Sequence, residues 1–216
     1  MKRLVLVSVL FGLACWAQTP SALESDPKGW TDIMPAASMQ GWTRVPFLTT
    51  DPLNPVSQWK VDSASGILLC EGDKGHEFLR YDKELANFIF HAEWRFTPIP
   101  NGKGYNSGIL VRTGADGILW HQAQTTEPGG YLLGDTMVDG VKQRVNRRAQ
   151  MKENRVKPIG EWNVYEVRAE GPKLTLWVNG AVVNEWDDPT ALKGYIGLEA
   201  EGFRVEFRNL KLKVLP

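Results

Sequence analysis

The sequence of 216 residues is poor in most of the groups that advertise a particular chemistry. Two cysteines and three histidines, with no Cys-x-x-Cys or His-Glu-x-x-His pair, leave little for a dedicated zinc centre. No charge of either sign is in excess, because 25 Lys and Arg balance 25 Asp and Glu. A nucleic-acid binder normally carries a basic surplus, so no nucleic-acid partner is expected. After the N-terminal segment no stretch approaches the ~18 apolar residues of a spanning helix, so no transmembrane segment is expected in the rest of the chain. Nor does any later window keep apolar residues at i, i+3, i+4 and i+7 over three turns. That excludes a helical fold and leaves room only for short helices at 82–85 and 187–192. Abundant instead are turn formers and aromatics: 21 Gly, 13 Pro and nine Trp. With 43% hydrophobic and 23% charged residues the chain is globular rather than disordered, and its length fits one domain.

The N-terminus reads as an address. Lys2 and Arg3 precede an apolar run over 4–14, too short for a bilayer and suited to the core of a signal peptide. Small residues around Ala17 and around Ala22 offer two cleavage sites. We therefore expect a signal peptide over 1–22, an extended arm over 23–40 and a folded domain over 41–216. The expected location is outside the cytoplasm, periplasmic or secreted. A lipid anchor on Cys15 is one alternative, although Gly12 stands where a lipobox usually has Leu. A retained N-terminal helix is another. Cleavage after Ala17 leaves Cys70 alone, in an apolar run where a buried, inert thiol is expected.

Alternation with period two dominates the remainder. In 88–96, Phe88, Phe90, Ala92, Trp94 and Phe96 share one face, while Ile89, His91, Glu93 and Arg95 share the other. Residues 106–112 alternate as well. The clearest hairpin runs through 174–178, Asn179-Gly180 and 181–186, since Asn-Gly supplies the positive φ angles of a two-residue turn. Further strands are predicted at 67–70, 77–81, 119–125, 162–169, 195–200 and 204–212. About ten strands separated by turn residues predict an all-β sandwich, with no repeat and no second domain.

Several blocks, in order, resemble one family over roughly residues 29–213. They are Gly29-Trp30 with Gly41-Trp42; the strand 87–95, reading Asn-Phe-Ile-Phe-His-Ala-Glu-Trp-Arg; and 106–112, reading Asn-Ser-Gly-Ile-Leu-Val-Arg. Then come Gly160 to Asn163, Leu176 to Gly180, and Gly197 to Gly202 followed by Phe207 to Leu212. The pattern is similar to the secreted 3-keto-disaccharide hydrolase domain family. The resemblance implies a concanavalin A-like jelly-roll β-sandwich, two curved antiparallel sheets with a cleft for a small saccharide substrate. It implies a hydrolase or lyase that cleaves 3-keto-glycosides by removing the proton on C2. Two departures stand out. The family's early Leu-Phe-Asn-Gly is Ile33-Met-Pro-Ala-Ala here, and its Tyr-Glu-x-Gln strand is His121-Gln-Ala-Gln, which puts Gln122 in place of a carboxylate. The Glu-x-Asp-x-Glu strand of a two-carboxylate retaining glycosidase is also missing. A non-catalytic carbohydrate-binding module on the same sandwich therefore stays open.

Strand parity selects the candidate residues. If Ile109 and Val111 face the core, Asn106 and Arg112 face the cleft; by the same rule Gln122, Gln124, Glu199 and Glu201 face it. Arg112 is an expected oxyanion donor, or else the partner of Glu199 or Glu201 in an ion pair. Glu199 and Glu201 are candidate bases, or solvated strand carboxylates. Asn106, Gln122 and Gln124 would bind sugar hydroxyls, and Trp120 would stack on a sugar ring or pack in the core. His121 falls on the opposite phase and is expected to be buried, unless a bulge turns it into the cleft, where it would be the best base in the chain. The segment 142–157, with seven basic residues, reads as a solvated ribbon, with an anion-binding loop as the alternative. Gly129-Gly130 is a turn without the Lys-Ser/Thr of a phosphate loop. No cofactor is predicted. A divalent cation held by loop oxygens would leave no compact signature, and oligomeric state is not legible.

Overall fold

The computed structural model describes residues 18–47, 50 and 52–216. The expected signal sequence, including Cys15, falls largely on residues 1–17, outside the described residues. The chain forms a jelly-roll sandwich of two antiparallel sheets. The strands are β1 (Thr31–Asp32), β2 (Trp42–Pro46), β3 (Trp59–Asp62), β4 (Ile67–Cys70), β5 (Glu77–Tyr81), β6 (Phe88–Phe96), β7 (Gly108–Thr113) and β8 (Trp120–Gln124). They continue with β9 (Leu132–Val138), β10 (Val141–Asn146), β11 (Asn163–Glu170), β12 (Lys173–Val178), β13 (Ala181–Asp187), β14 (Tyr195–Ala200) and β15 (Val205–Val214). One sheet runs β13-β12-β11-β6-β15-β4-β3, with β1 beside the distal end of β15. The other runs β10-β9-β8-β7-β14-β5-β2.

The core lies between the sheets. Phe88, Phe90, Trp94, Tyr165, Leu176 and Phe207 enter it from the first sheet, and Ile109, Val111, Ala123, Ile196 and Leu198 from the second. Each is essentially inaccessible, and the larger aliphatic and aromatic side chains among them contribute roughly 1.5–3 kcal/mol each on leaving water. The alternation predicted for 88–96 is the one observed. Asn179 and Gly180, with φ of 43° and 105°, close the β12–β13 hairpin with Val178 opposite Ala181. Cys70 is fully buried, and burial pushes its thiol pKa far up, so this thiol is inert.

Two expectations need correction. Residues 82–85 and 187–192 are not helical, because their backbone groups are taken by other segments. Leu85 exchanges both backbone hydrogen bonds with Gly194, and the amide of Asp188 donates to the carbonyl of Pro172. The described helices are instead α1 (Ala22–Ser25) and a 3-10 turn at Arg148–Gln150. The first opens on a capping box between Ser21 and Glu24, and Glu166 of β11 accepts from the amides of Ala22 and Leu23 at 2.6 and 3.0 Å. Glu166 also meets His91 at 2.9 Å. The N-terminal segment is thus tied to the outer face of the first sheet.

Candidate functional site

Parity places one face of each central strand of the second sheet on that sheet's outer surface. From β8 it receives Trp120, Gln122 and Gln124; from β14, Glu199, with Glu201 just beyond the strand; and from the lead into β7, Asn106. Together with Phe47, His76, Leu133 and Arg144 these line a cleft of about 190 Å³. The structure therefore brings together six of the eight residues singled out by sequence, namely Asn106, Trp120, Gln122, Gln124, Glu199 and Glu201.

The polar groups form a connected set. The carboxylate of Glu199 is 3% exposed; one oxygen meets His76 Nε2 at 2.8 Å and the other accepts from Gln122 Nε2 at 2.7 Å. Gln122 Nε2 also donates to Gln124 Oε1 at 3.1 Å. Gln124 donates to Asn106 Oδ1, and Asn106 Nδ2 donates to Glu201. His76 Nε2 lies 3.9 Å from Glu201 as well, so it bridges the two acids. Gly108 makes the row fit, since a Cβ there would lie 1.8 Å from Gln122 Nε2. Partial burial, reinforced by the like charge of Glu199, raises the pKa of Glu201 above the ordinary carboxylate range. That is the tuning a carboxylate base needs near neutrality. His76, Glu199 and Glu201 each offer one atom, all within 4.8 Å of one another, and this is where a divalent cation could be held.

Two predicted site residues lie elsewhere. Arg112 is not in the cleft: its guanidinium donates to the carbonyls of Ala86, at 3.0 and 2.8 Å, of Gly171 at 2.7 Å and of Ala191 at 3.4 Å. Nor does it pair with Glu199 or Glu201. The physical cause is local, because Arg112 adopts φ 46° beside the irregular β7–β14 register at Tyr195–Gly197, and that breaks the alternation. His121 follows its phase to the inner side, with no bulge to turn it. It is fully buried, 3.4 Å from Thr136 Oγ1 and edge-on to Trp186 at 4.9 Å. Burial lowers its pKa to about 4, so it is neutral at pH 7 and out of reach of the cleft. Because its folded pKa lies below the free value of 6.5, stability should be full above pH 6.5 and fall as pH drops toward 4. The loss should be on the order of 3 kcal/mol. Urea midpoints across that window should show the fall, and His121→Gln should flatten it.

Four residues of the cleft escaped sequence reading, and Leu133 of β9 is one of them. His76 precedes β5 after Gly75 (φ 99°), and Phe47 follows β2; the two rings stack at 4.2 Å and 9°. Extending the phase of Phe78 and Arg80 back by one pair would have found His76. Arg144 sits on β10, in the segment read as a solvated ribbon. The clue was Asp139-Gly140, whose φ angles of 49° and 77° close a β9–β10 hairpin with Val138 opposite Val141.

A family model described as the 3-keto-alpha-glucoside-1,2-lyase-like domain matches residues 29–213. The chain belongs to this family. In the lyase-like domain the match takes in every strand but the last residue of β15, and all of the cleft. Comparison with curated proteins returned no match. Among solved structures, a protein of Parabacteroides distasonis described provisionally as a glycosyl hydrolase is 19% identical, with TM-score 0.63, 92% of this chain covered and 100% of that one. The carbohydrate binding module CBM66 of Bacillus subtilis is 15% identical, with TM-score 0.56 and coverage of 79% and 94%. A Bacillus subtilis protein with a galectin-like fold is 12% identical, with TM-score 0.51 and coverage of 83% and 92%. At these identities the likeness concerns the fold. The family itself makes this a carbohydrate-related domain.

Proposed function

We propose that the protein is an exported enzyme that cleaves 3-keto-glucosides by elimination, with Glu201 as the base. The observation that carries this is the pairing of two unlike carboxylates on one groove: Glu199 held by His76 and Gln122, and Glu201 half-exposed with a raised pKa. A ketone at C3 acidifies the hydrogen on C2. Glu201 takes that proton, and the electron pair forms the enolate between C2 and C3. The enolate then re-forms the ketone, C1 and C2 become doubly bonded, and the bond from C1 to the aglycone oxygen breaks. The aglycone leaves with a proton, giving a 2-hydroxyglucal ketone; addition of water at C1 would give 3-ketoglucose. Asn106 and Gln124 each spend one amide N–H on a neighbour and keep a second for the developing enolate oxygen. The reading assigns no step to Arg112 or His121, and Trp120 serves as cleft wall.

Gln122 in place of the usual carboxylate favours a second reading, a sugar-binding module without catalysis. Incubating the mature chain with 3-keto-trehalose or methyl 3-keto-α-glucoside separates the two. Release of 3-ketoglucose or its glucal supports the enzyme; binding without turnover at high enzyme loading supports the module. The proposed chemistry runs on protein groups alone, so the rate should be unchanged after EDTA. A rate lost to EDTA and restored by a divalent cation would instead make His76, Glu199 and Glu201 ligands.

A further inference from the structure

Next to the cleft lies a second hollow of about 220 Å³, lined by Phe47, Gly117, Ile118, Trp120, Asp135, Lys142 and Arg144. Phe47, Trp120 and Arg144 line both, so the two form one groove with a waist. At the waist the Phe47 and Trp120 rings meet edge to face at 5.4 Å, and the Arg144 guanidinium lies 4.8 Å above the Trp120 ring.

The two halves differ in chemistry. The first offers amides and carboxylates, donors and acceptors together, which is what a polyol needs. In the second the side-chain acceptor is Asp135, which is 15% exposed and already engaged by Arg144 and, at 3.6 Å, by Lys142. What remains for a ligand is two cations, 51% and 58% exposed, and an apolar surface whose outer edge is Ile118, 48% exposed. Such a wall has donors and positive charge, a guanidinium plane lying over Trp120 and an exposed apolar edge at Ile118, and its one side-chain acceptor is already engaged. A second sugar would find one side-chain acceptor there, already engaged, for its several hydroxyl protons. A planar ring bearing an acid group would pack against Ile118 and the exposed Arg144 guanidinium and place its anion between Lys142 and Arg144.

We propose that this hollow is the leaving-group subsite and that it takes an aromatic aglycone carrying a carboxylate, rather than a second sugar. This rests on the glycoside reading of the cleft, and it makes Lys142 and Arg144 specificity residues. As the C1–O bond breaks, the waist is where the departing group lies, beside the Arg144 guanidinium.

The test is direct binding, followed by tryptophan fluorescence or calorimetry, of three unoxidised ligands: methyl, phenyl and 4-carboxyphenyl α-glucoside, with trehalose as the disaccharide control. Affinity should rise in that order, with the carboxylate contributing roughly tenfold over phenyl at low salt. That ratio should shrink at higher ionic strength. It should approach one in Arg144→Gln and fall in Lys142→Gln, each folded as judged by its thermal midpoint. Equal affinity for the three glucosides, or trehalose binding more tightly than the aryl glucosides, would overturn the subsite. Because the ligands need not react, absence of turnover on 3-keto-glucosides would refute the catalytic reading and leave this result standing.

Discussion

Glu201→Gln should abolish turnover of a 3-keto-glucoside, by a factor of at least about 10³, while the chain stays folded. The amide cannot take the C2 proton but can still accept from Asn106. Wild-type kcat/KM should rise with pH through the raised pKa of Glu201, so its acid limb should lie above the usual carboxylate range of about 4.3. Burial is the larger cause of that shift and the Glu199 charge the second. Glu199→Gln should therefore move the limb to lower pH without returning it fully, and it should lower the rate as well, since Glu199 anchors His76. A Glu201→Gln enzyme with near-normal turnover would remove Glu201 from the chemistry. Stopped assays over pH 4–8 on the three proteins decide the matter.

Arg112→Ala should behave in the opposite sense. The residue is 1% exposed and its guanidinium satisfies the carbonyls of Ala86, Gly171 and Ala191. Removing it deletes charge-assisted hydrogen bonds to part-buried carbonyls, worth about 1.5–3 kcal/mol each. A loss of about 3–5 kcal/mol should lower the thermal midpoint by roughly 10 °C. Turnover per folded molecule, measured well below the midpoint, should stay within about twofold, because no cleft group touches Arg112. A stable variant without activity would restore Arg112 to the site.

These two residues also show what the sequence could and could not convey. Alternation was enough for the sandwich, because β6, β12 and β13 each turn an apolar face to the core and a one-residue slip would invert them. The same rule carried Gln122, Gln124 and Glu199 to a common surface, since β8 and β14 are regular where those residues sit. It failed at Arg112, where a positive φ next to an irregular register turned the side chain toward the end of the sandwich. No residue type signals that position, because arginine has no preference for positive φ. The β10 strand was missed for a different reason: almost every side chain on it is exposed, so there is no apolar phase to read. His76 and Phe47 lie just outside strands, where periodicity ends, although their two loops place them on the cleft wall.

The row from Gln124 through Asn106 to Glu201, and that from Gln122 through Glu199 to His76, fix each other's rotamers from several strands at once. A sugar entering this groove therefore meets a surface already ordered, and little rotational freedom remains to be frozen on binding. Calorimetry should find a small entropic penalty for a ligand confined to this end, and cutting one link at Asn106 should make that penalty grow.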